Sequence, residues 1–315
     1  MSRKHIFLLG LVTSGVLLIF LTILIIFSNK ILFPPWYHPG LTEDCNLDIK
    51  TDFPELCNKE SNPTPKDNFE TFEVESNSGK VSGWFFPSKN LDTAVIFVHG
   101  AGGDRREGYK RWEFIKSKGY SYYIYDSPNH GISHTNNVGV TYGAKEQEGF
   151  KSVFDLVRQK HKNIFVITNS FGISAVALSM DYWRGGIKGI IMENPPYSLE
   201  RLVKENPIAM SLPKWFVELI LNYVSYKIEF PVQNLNPGEI AKSFPEIPIF
   251  VTHGTEDEAV PYKHGEDFFQ NLKSLKKEFF KAEGAKHGKV YHTFPEEYKK
   301  FANQIFSWGQ ELNKN

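Results

Sequence analysis

The sequence has few cysteines and no excess of charge of either sign. Only two cysteines occur among 315 residues, too few for a disulfide-rich scaffold or a thiolate zinc site. Lysine plus arginine number 36, as do aspartate plus glutamate, so the formal net charge is zero. We therefore expect no nucleic-acid partner. No repeat of about 20 to 50 residues is visible, which excludes a solenoid.

Motifs for metals and nucleotides are also missing from the sequence. No group of Asp, His or Cys has the spacing of metal ligands, and no glycine-rich segment carries the lysine of a phosphate-binding loop. We expect no metal and no cofactor. Hydrophobic residues make up 41% of the chain, enough for a sizeable core at this length.

A long apolar run lies near the N-terminus. Residues 6–27 contain no charged side chain and are rich in Leu, Ile, Val and Phe. As a helix they would extend about 33 Å, the thickness of a bilayer core. A cleaved signal peptide has a shorter apolar core and a small-residue cleavage site, neither of which precedes Pro34 and Pro35. The run therefore predicts an uncleaved transmembrane signal anchor.

The charges beside this run predict its orientation. Arg3 and Lys4 precede the run, whereas Lys30 follows it and acidic Glu43 comes soon after. By the positive-inside rule, residues 1–5 stay in the cytoplasm and the rest of the chain is exported. We therefore expect a single-pass membrane protein whose main domain is extracytoplasmic.

Residues 28–68 have the composition of a linker, with several Pro, Asn, Asp and Glu residues and no sustained period. Both cysteines, Cys45 and Cys57, lie within it. In an oxidising compartment they can form a disulfide that closes a short loop. Two free thiols remain the alternative.

After residue 68, short apolar runs alternate with helical stretches. Several of the apolar runs are continuous, which is typical of strands that helices cover on both faces. We predict an α/β domain over residues 69–315 with a mostly parallel, doubly wound sheet. The predicted strands are 69–75, 81–86, 94–98, 121–125, 164–168, 188–192, 248–252 and 276–282. The predicted helices are 105–118, 143–160, 171–183, 261–274 and 294–311.

Residues 197–240 interrupt this alternation. The segment contains Pro207, Pro213 and Pro231 around an apolar helical piece at 215–226. Proline is poorly tolerated inside helices and central strands, so this segment does not continue the sheet. We predict a small helical cap inserted between two strands.

The most informative segment is a buried strand that turns directly into a helix, with Ser170 at the turn. Residues 164–175 read IFVITNSFGISA. A serine at such a turn exposes its hydroxyl for nucleophilic attack. The turn needs small neighbours; Gly172 supplies one, whereas β-branched Thr168 takes the other position of the G-x-S-x-G pattern. An ordinary helix cap is the alternative role for Ser170.

Three more strand ends carry residues suited to the same chemistry. Upstream, the sequence HGAGG at 99–103 provides glycines that let backbone amides approach a ligand, with an oxyanion donor at Ala101. Downstream, Asp257 follows the next-to-last strand and His287 follows the last. A serine hydroxyl needs an imidazole to take its proton and a carboxylate to hold that imidazole. Ser170, His287 and Asp257 suit these roles.

Taken together, these motifs resemble the α/β-hydrolase superfamily over residues 69–311. The resemblance is greatest to membrane-anchored serine hydrolases of the Bem or serine-aminopeptidase type. Residues 126–133, DSPNHGIS, stand where that family has D-x-x-G-x-G-x-S. The chain departs from the family pattern at Thr168, at Asn129, where glycine is usual, and in its short cap.

The resemblance implies an eight-stranded sheet with one antiparallel strand and a cofactor-free serine hydrolase. It also implies a catalytic triad of Ser170, Asp257 and His287. The oxyanion-hole amides implied by the family are those of Ala101 and Phe171.

Other residues compete for the acid and base roles. Glu256 and Glu258 flank Asp257, and Glu193 ends another predicted strand. Asp257 is favoured because it lies three residues after Gly254. His292 is the alternative base to His287. We assign structural roles to His99, His130 and His253 and expect His264 to be exposed on a helix.

The substrate is less sharply indicated. The membrane anchor and the apolar cap favour a carboxylic ester with an acyl chain, such as a lysophospholipid or an acylglycerol. The cap residues considered for an acyl pocket are Trp215, Phe216, Leu219, Ile220 and Leu221. A peptidase, an acyl-protein thioesterase and a catalytically inactive binding or scaffold module remain alternatives.

Overall fold

The computed structural model describes residues 3–37 and 62–312. The predicted disulfide between Cys45 and Cys57 lies outside these residues. In the described part of the chain, eight strands form one sheet. They are β1 (Glu70–Val74), β2 (Val81–Phe86), β3 (Asn90–Val98), β4 (Tyr120–Tyr125), β5 (Asn163–Asn169), β6 (Ile187–Glu193), β7 (Ile249–Gly254) and β8 (Lys277–Ala282).

The strand order across the sheet is β1-β2-β4-β3-β5-β6-β7-β8. Strand β2 runs antiparallel to both of its neighbours, β1 and β4. All other neighbouring strands pair in parallel. The predicted fold class is therefore confirmed. The carboxyl ends of β3, β5, β6 and β7 meet at one edge, the usual position of a ligand site in an open α/β sheet.

Thirteen α-helices occur in the described residues. They are α1 (Arg3–Leu32), α2 (Arg105–Tyr109), α3 (Trp112–Ser117), α4 (Glu146–Arg158), α5 (Gly172–Leu178), α6 (Met180–Trp183), α7 (Leu199–Glu205), α8 (Pro207–Met210), α9 (Lys214–Ile228), α10 (Pro237–Ile240), α11 (Tyr262–Asn271), α12 (Val290–Thr293) and α13 (Pro295–Glu311). Helices α7 to α10 lie in the segment predicted as the cap.

Two predicted helices are each divided in the structure. The helix predicted at 105–118 becomes α2 and α3, since the N–H of Arg111 bonds to the carbonyl of Gly108 in a tight turn. The helix predicted at 171–183 becomes α5 and α6. Here the hydroxyl of Ser179 donates to the carbonyl of Ala175 at 2.7 Å. Serine competes in this way with the helix backbone, and α5 ends at that point.

Helices cover both faces of the sheet. Along β3, Ile96 and Val98 face a core cluster that includes residues of α4, α5, α6 and α11. Val95 and Phe97 face a second cluster that includes residues of α3 and α13. All four side chains are fully buried. Because side chains alternate along a strand, burial on both faces explains the continuous apolar runs in the sequence.

Helix α1 is longer than the predicted apolar run and includes the first residues of the predicted linker. Its segment Val12–Leu32 has a mean hydropathy of 2.3 and is long and apolar enough to cross a membrane. The carboxyl-terminal half of the helix packs against the cap. The ring of Phe20 stacks on Trp215 with centroids 6.2 Å apart, and Phe27 contacts Phe216 edge to face at 6.0 Å.

A buried ion pair lies near the carboxyl end of β6. The Nε of Arg111 donates to Oε1 of Glu193 at 2.8 Å, and a second guanidinium nitrogen bonds to Oε2. The two side chains are 2% and 0% exposed. The hydroxyl of Tyr298 also donates to Glu193, at 2.6 Å. This carboxylate is therefore fully occupied by structural contacts.

We predict that Glu193→Gln destabilises the protein strongly. The substitution leaves the buried guanidinium of Arg111 without its counter-charge, which costs about 3 kcal/mol or more in free energy of unfolding. Thermal denaturation of the full chain in detergent measures the effect. Glu283→Gln is the matched control because Glu283 pairs with Lys281 on the surface, where pairs contribute about 0–1 kcal/mol. Equal melting temperatures for the two variants would contradict the prediction.

Candidate active site

Ser170 lies in a sharp turn between β5 and α5. Its φ angle is +49°, in the left-handed region that few residues other than glycine adopt. The N–H of Ser170 donates to the carbonyl of Glu193 at 2.8 Å, which ties the turn to the neighbouring strand. A Cβ atom at Gly172 would collide with the carbonyl of Val98 and lie 2.7 Å from that of His99. The start of α5 therefore crosses β3 where only glycine fits.

Thr168, one of the two residues that depart from the family pattern, is a fully buried part of β5. It pairs with Val98 on one side and Met192 on the other. Its hydroxyl has no hydrogen-bond partner among the described residues. The turn at Ser170 nevertheless forms, because the close contacts fall at Gly172 and at Gly100, where a Cβ would lie 3.0 Å from Cβ of Ser170.

Asp257 and His287 are hydrogen-bonded to each other. Nδ1 of His287 lies 2.7 Å from Oδ2 of Asp257, whose side chain is fully buried. The other carboxylate oxygen accepts the backbone N–H groups of Ala259 at 3.0 Å and Val260 at 2.8 Å. These two bonds fix the carboxylate, which in turn fixes the orientation of the imidazole.

The pKa values of the pair are shifted in opposite directions. Burial alone would raise the pKa of Asp257, but His287 and a further hydrogen bond from His253 bring it well below its ordinary value. Burial alone would lower the pKa of His287, yet the charge and hydrogen bond of Asp257 raise it overall. The carboxylate is thus ionised at neutral pH, and Nδ1 of the imidazole donates its hydrogen to it.

Ser170 and His287 both line a cavity of about 770 Å³. The hydrogen bonds of the described residues do not join the two side chains. The loop that carries His287 still lies against the end of β5, since a Cβ at Gly288 would be 3.4 Å from Nδ2 of Asn169. In unliganded enzymes such hydrogen bonds are often long and shorten when the substrate binds.

Ala101 and Phe171 also line this cavity. The loop that carries Ala101 is held by two buried histidines. Nδ1 of His99 donates to the carbonyl of Gly100 at 2.7 Å, and a ring nitrogen of His130 contacts the carbonyl of Ala101 at 2.8 Å. Burial, followed by the neighbouring His130, lowers the pKa of His99 to about 3, so His99 is neutral. These contacts agree with the structural roles predicted for both histidines.

The backbone conformation of Asn129, in the loop of residues 126–133, explains why asparagine can take a position where glycine is usual. Asn129 has a φ angle of +66°, and asparagine tolerates this region better than most residues. Its side-chain oxygen accepts the N–H of Asn136 at 3.0 Å. Asp126 holds the loop by accepting the N–H groups of Arg105 at 2.7 Å and Ile132 at 2.9 Å.

The competing acids do not bond to His287, although Glu258 lines the same cavity, and the competing base does not bond to Asp257. Glu193 is bound to Arg111 and Tyr298, as described above. Glu256 and Glu258 are exposed, and of the three neighbouring carboxylates only Asp257 bonds to His287. His292 is exposed on α12.

His253 and His264 both lie in or near the sheet's carboxyl edge. Nε2 of His253 is 2.8 Å from the carbonyl of Val260 and 3.3 Å from Asp257, so His253 helps to hold the Asp257 carboxylate. The expectation that His264 is exposed is wrong. Its side chain is completely buried, accepts the N–H of Tyr197 at 3.0 Å and lies 2.8 Å from Glu205. The reason is that the cap covers this face of α11.

Sequence reasoning missed a carboxylate beside the cavity. Oε2 of Glu107 accepts the N–H of Gly100 at 3.2 Å, and Oε1 accepts the side-chain amide of Asn169. Burial raises the pKa of Glu107, although Arg111 nearby opposes the shift. In the sequence, the one indication of this role was that Glu107 follows the HGAGG segment by four residues, on a predicted helix.

Two asparagines extend this network across the sheet. The side chain of Asn194 donates to that of Asn169 at 3.4 Å and accepts the N–H of Gly254 at 3.2 Å. Hydrogen bonds therefore connect the carboxyl ends of β3, β5, β6 and β7. Asn169 ends β5 and Asn194 directly follows β6, but that position alone does not reveal a partner.

Comparison of the sequence with protein-family models and with curated proteins finds no match. Solved structures do resemble the chain. An esterase from Pyrococcus furiosus, Pf2001, is 24% identical with a TM-score of 0.62, over 78% of this chain and 94% of that one. Est1E from Butyrivibrio proteoclasticus, in a structure with ferulic acid, is 20% identical with a TM-score of 0.59, over 75% and 99%.

A third likeness is to the esterase RhEst1 from Rhodococcus sp. ECU1013. It is 16% identical with a TM-score of 0.55, over 75% of this chain and 98% of that one. At these identities the likeness concerns the fold. The chain has the α/β-hydrolase fold and an apolar helix near its N-terminus.

Proposed function

We propose that this protein is a membrane-attached serine hydrolase that cleaves a carboxylic ester through an acyl-enzyme. The observation that carries the proposal is the hydrogen bond of Asp257 to His287, at 2.7 Å, in the wall of the cavity that Ser170 also lines. The positive φ of Ser170 supports it, because a strained strand-to-helix turn presents a nucleophile in this fold. The esterase activity of the structural neighbours favours the same reaction class.

The proposed reaction begins with the transfer of a proton. The hydroxyl of Ser170 attacks the ester carbonyl while Nε2 of His287 takes its proton. Asp257 accepts the hydrogen of Nδ1, which leaves Nε2 free to act as the base. The backbone N–H groups of Ala101 and Phe171 are the proposed donors to the oxyanion of the tetrahedral intermediate.

The intermediate then collapses to an acyl-enzyme. His287 returns the proton to the departing alkoxide, so an alcohol leaves and the acyl group stays on Ser170. Water next attacks the acyl carbonyl while His287 takes a proton from it. A second collapse releases the carboxylic acid and restores the serine hydroxyl. The residues of this chain suffice for each step.

The proposed substrate is an ester with an apolar acyl group, such as a lysophospholipid or an acylglycerol. A cavity of about 770 Å³ is within the range of small-molecule sites. Of the five cap residues considered in the sequence, Ile220 lines the cavity. Phe216 and Leu221 are buried in the cap core, while Trp215 and Leu219 are exposed. A peptide or a thioester, which would use the same three residues, is the second candidate.

We also propose that the protein is a Bem-type hydrolase anchored by α1, with the catalytic domain outside the cytoplasm. The apolar segment Val12–Leu32 supports the anchor. Arg3 and Lys4 before it support a cytoplasmic N-terminus. An exported domain would place Cys45 and Cys57 where a disulfide is stable.

A fluorophosphonate probe is expected to label the full chain, and Ser170→Ala to abolish both labelling and ester hydrolysis. Only an activated hydroxyl reacts quickly with this electrophile. Ser174→Ala is the matched control: Ser174 is buried four residues away, and its hydroxyl has no partner among the described residues. In-gel fluorescence measures the labelling. Persistent labelling of Ser170→Ala would disprove the assignment and favour another nucleophile, whereas a wild-type chain that takes up no probe would favour an inactive module.

The substitution Asp257→Asn is expected to lower kcat by roughly four orders of magnitude, because the imidazole then loses its required tautomer. Substrate binding should change little, since the acid does not line the cavity. Glu256→Gln, an exposed neighbour, should keep normal turnover. Steady-state hydrolysis of p-nitrophenyl butyrate provides the comparison. Near-normal turnover by Asp257→Asn would assign the acid to another residue.

Activity is expected to fall at low pH as His287 becomes protonated and can no longer act as a base. Burial lowers the pKa of His287, while Asp257 and, more weakly, Glu107 raise it. Glu107→Gln removes a negative charge, so the pKa of His287 falls and the acid limb of kcat/KM moves to lower pH. Glu107→Asp keeps the charge and is the control. If the acid limb of kcat/KM moved to higher pH in Glu107→Gln, the assignment of His287 as the base would be contradicted.

A further inference from the structure

One wall of the cavity that contains Ser170 is formed by the end of helix α1 and the residues after it. Phe27, Ile31, Pro34 and Trp36 all line this cavity. We infer that α1 is a substrate-binding element as well as an anchor. A long acyl chain of a membrane lipid ester lies between α1 and the cap, with its ester carbonyl at Ser170. This inference rests on the proposed function of Ser170.

Direct hydrogen bonds hold the end of α1 against the hydrolase domain. The N–H of Val140 donates to the carbonyl of Leu32 at 2.8 Å, and the hydroxyl of Tyr142 donates to the carbonyl of Ile31 at 2.6 Å. The hydroxyl of Tyr37 donates to the carbonyl of Asn129 at 2.5 Å. The first two bonds satisfy carbonyl groups that a helix end otherwise leaves free, and the third attaches the segment after α1 to the loop of Asn129. The position of α1 over the site is therefore fixed by specific contacts.

Close approach of the backbone supports the same conclusion. Gly139 has a φ angle of +84°, and a Cβ atom there would collide with the carbonyl of Leu32. The ring of Tyr142, which bonds to α1, also contacts Phe171 edge to face at 4.8 Å. Phe171 directly follows Ser170. A single residue thus connects α1 to the turn that carries the proposed nucleophile.

The wall opposite α1 comes from the cap and is mostly apolar, although Glu205 and Asn206 also line the cavity. Its side chains belong to α7, to α9 and to the loop before α9: Leu202, Val203, Leu212, Val217 and Ile220. Phe27 of α1 contacts Phe216 of α9, so the two walls meet at one side of the cavity. A passage with apolar side chains on both walls fits a hydrocarbon chain better than a peptide or a sugar.

Exposed apolar side chains of the cap lie beside the cavity and beside α1. Ile208 on α8 lines the cavity and is 53% exposed, and Met210 beside it is 72% exposed. Trp215, 59% exposed, stacks on Phe20 of α1. Exposed apolar surface that adjoins a membrane-spanning helix is suited to the lipid interface. An acyl chain can therefore enter the cavity from the bilayer without crossing water.

To test the inference, a side chain of α1 that lines the cavity is enlarged, and the hydrolysis of a long-chain ester is compared with that of a short-chain ester. The full chain is purified in detergent micelles, and kcat/KM is measured for p-nitrophenyl dodecanoate and p-nitrophenyl butyrate. In Ile31→Trp, the larger side chain occupies part of the cavity and narrows the space for an acyl chain. Each methylene displaced from apolar contact lowers affinity roughly fourfold, so two displaced methylenes lower the dodecanoate-to-butyrate ratio by more than about tenfold. Ile26→Trp is the matched control: it makes the same change on the same helix, at a side chain 51% exposed and outside the cavity.

An unchanged ratio in Ile31→Trp, or an equal fall in both variants, would overturn the inference. Fluorophosphonate labelling reports whether each variant retains its site, and Ile31→Phe, with a smaller added volume, replaces Ile31→Trp if labelling is lost. A wild-type chain that hydrolyses neither ester and takes up no probe would instead contradict the proposed function. Normal butyrate hydrolysis with no dodecanoate hydrolysis by the wild type would contradict the acyl-chain inference alone.

Discussion

The backbone turn at Ser170 is the constraint on which the site depends. A residue with a side chain adopts a left-handed conformation there, at φ +49°, and the helix that follows passes so close to β3 that Gly172 has no room for a Cβ. Such strain persists only where the surroundings hold it, and here the N–H of Ser170 is bonded to the carbonyl of Glu193. The same glutamate is held by the buried Arg111, so the turn rests on a part of the core that is costly to disturb.

Hydrogen bonds across the strand ends maintain the positions of the loops around this turn. Glu107 bonds to the loop of Gly100 and to Asn169, and Asn194 continues the network to β7. Asp257 lies just after β7 and bonds to His287 from the loop that follows β8. Groups fixed in this way before a substrate arrives need little reorganisation during a reaction, which is the main source of catalytic advantage in a proposed oxyanion-stabilising site.

Much of the fold was predictable from sequence because its signals are local. Continuous apolar runs indicated a sheet buried on both faces. Ser170, Asp257 and His287 each come soon after one of these runs, which predicted their positions near strand ends. Long-range contacts were not predictable. The burial of His264 depends on the cap, and the placement of α1 depends on Tyr142, more than 100 residues away in sequence. Glu107 gave little signal because a single carboxylate on a helix is usually exposed.

The central claim is that Ser170 carries the acyl group of a substrate ester during turnover. The most direct measurement mixes the full chain with p-nitrophenyl dodecanoate, quenches the reaction with acid within milliseconds and maps the acylated peptide by mass spectrometry. We expect one acyl group per chain on the peptide that contains Ser170, because an acyl-enzyme precedes hydrolysis in this mechanism. An acyl group on another residue, while the ester is hydrolysed at the normal rate, would contradict the account.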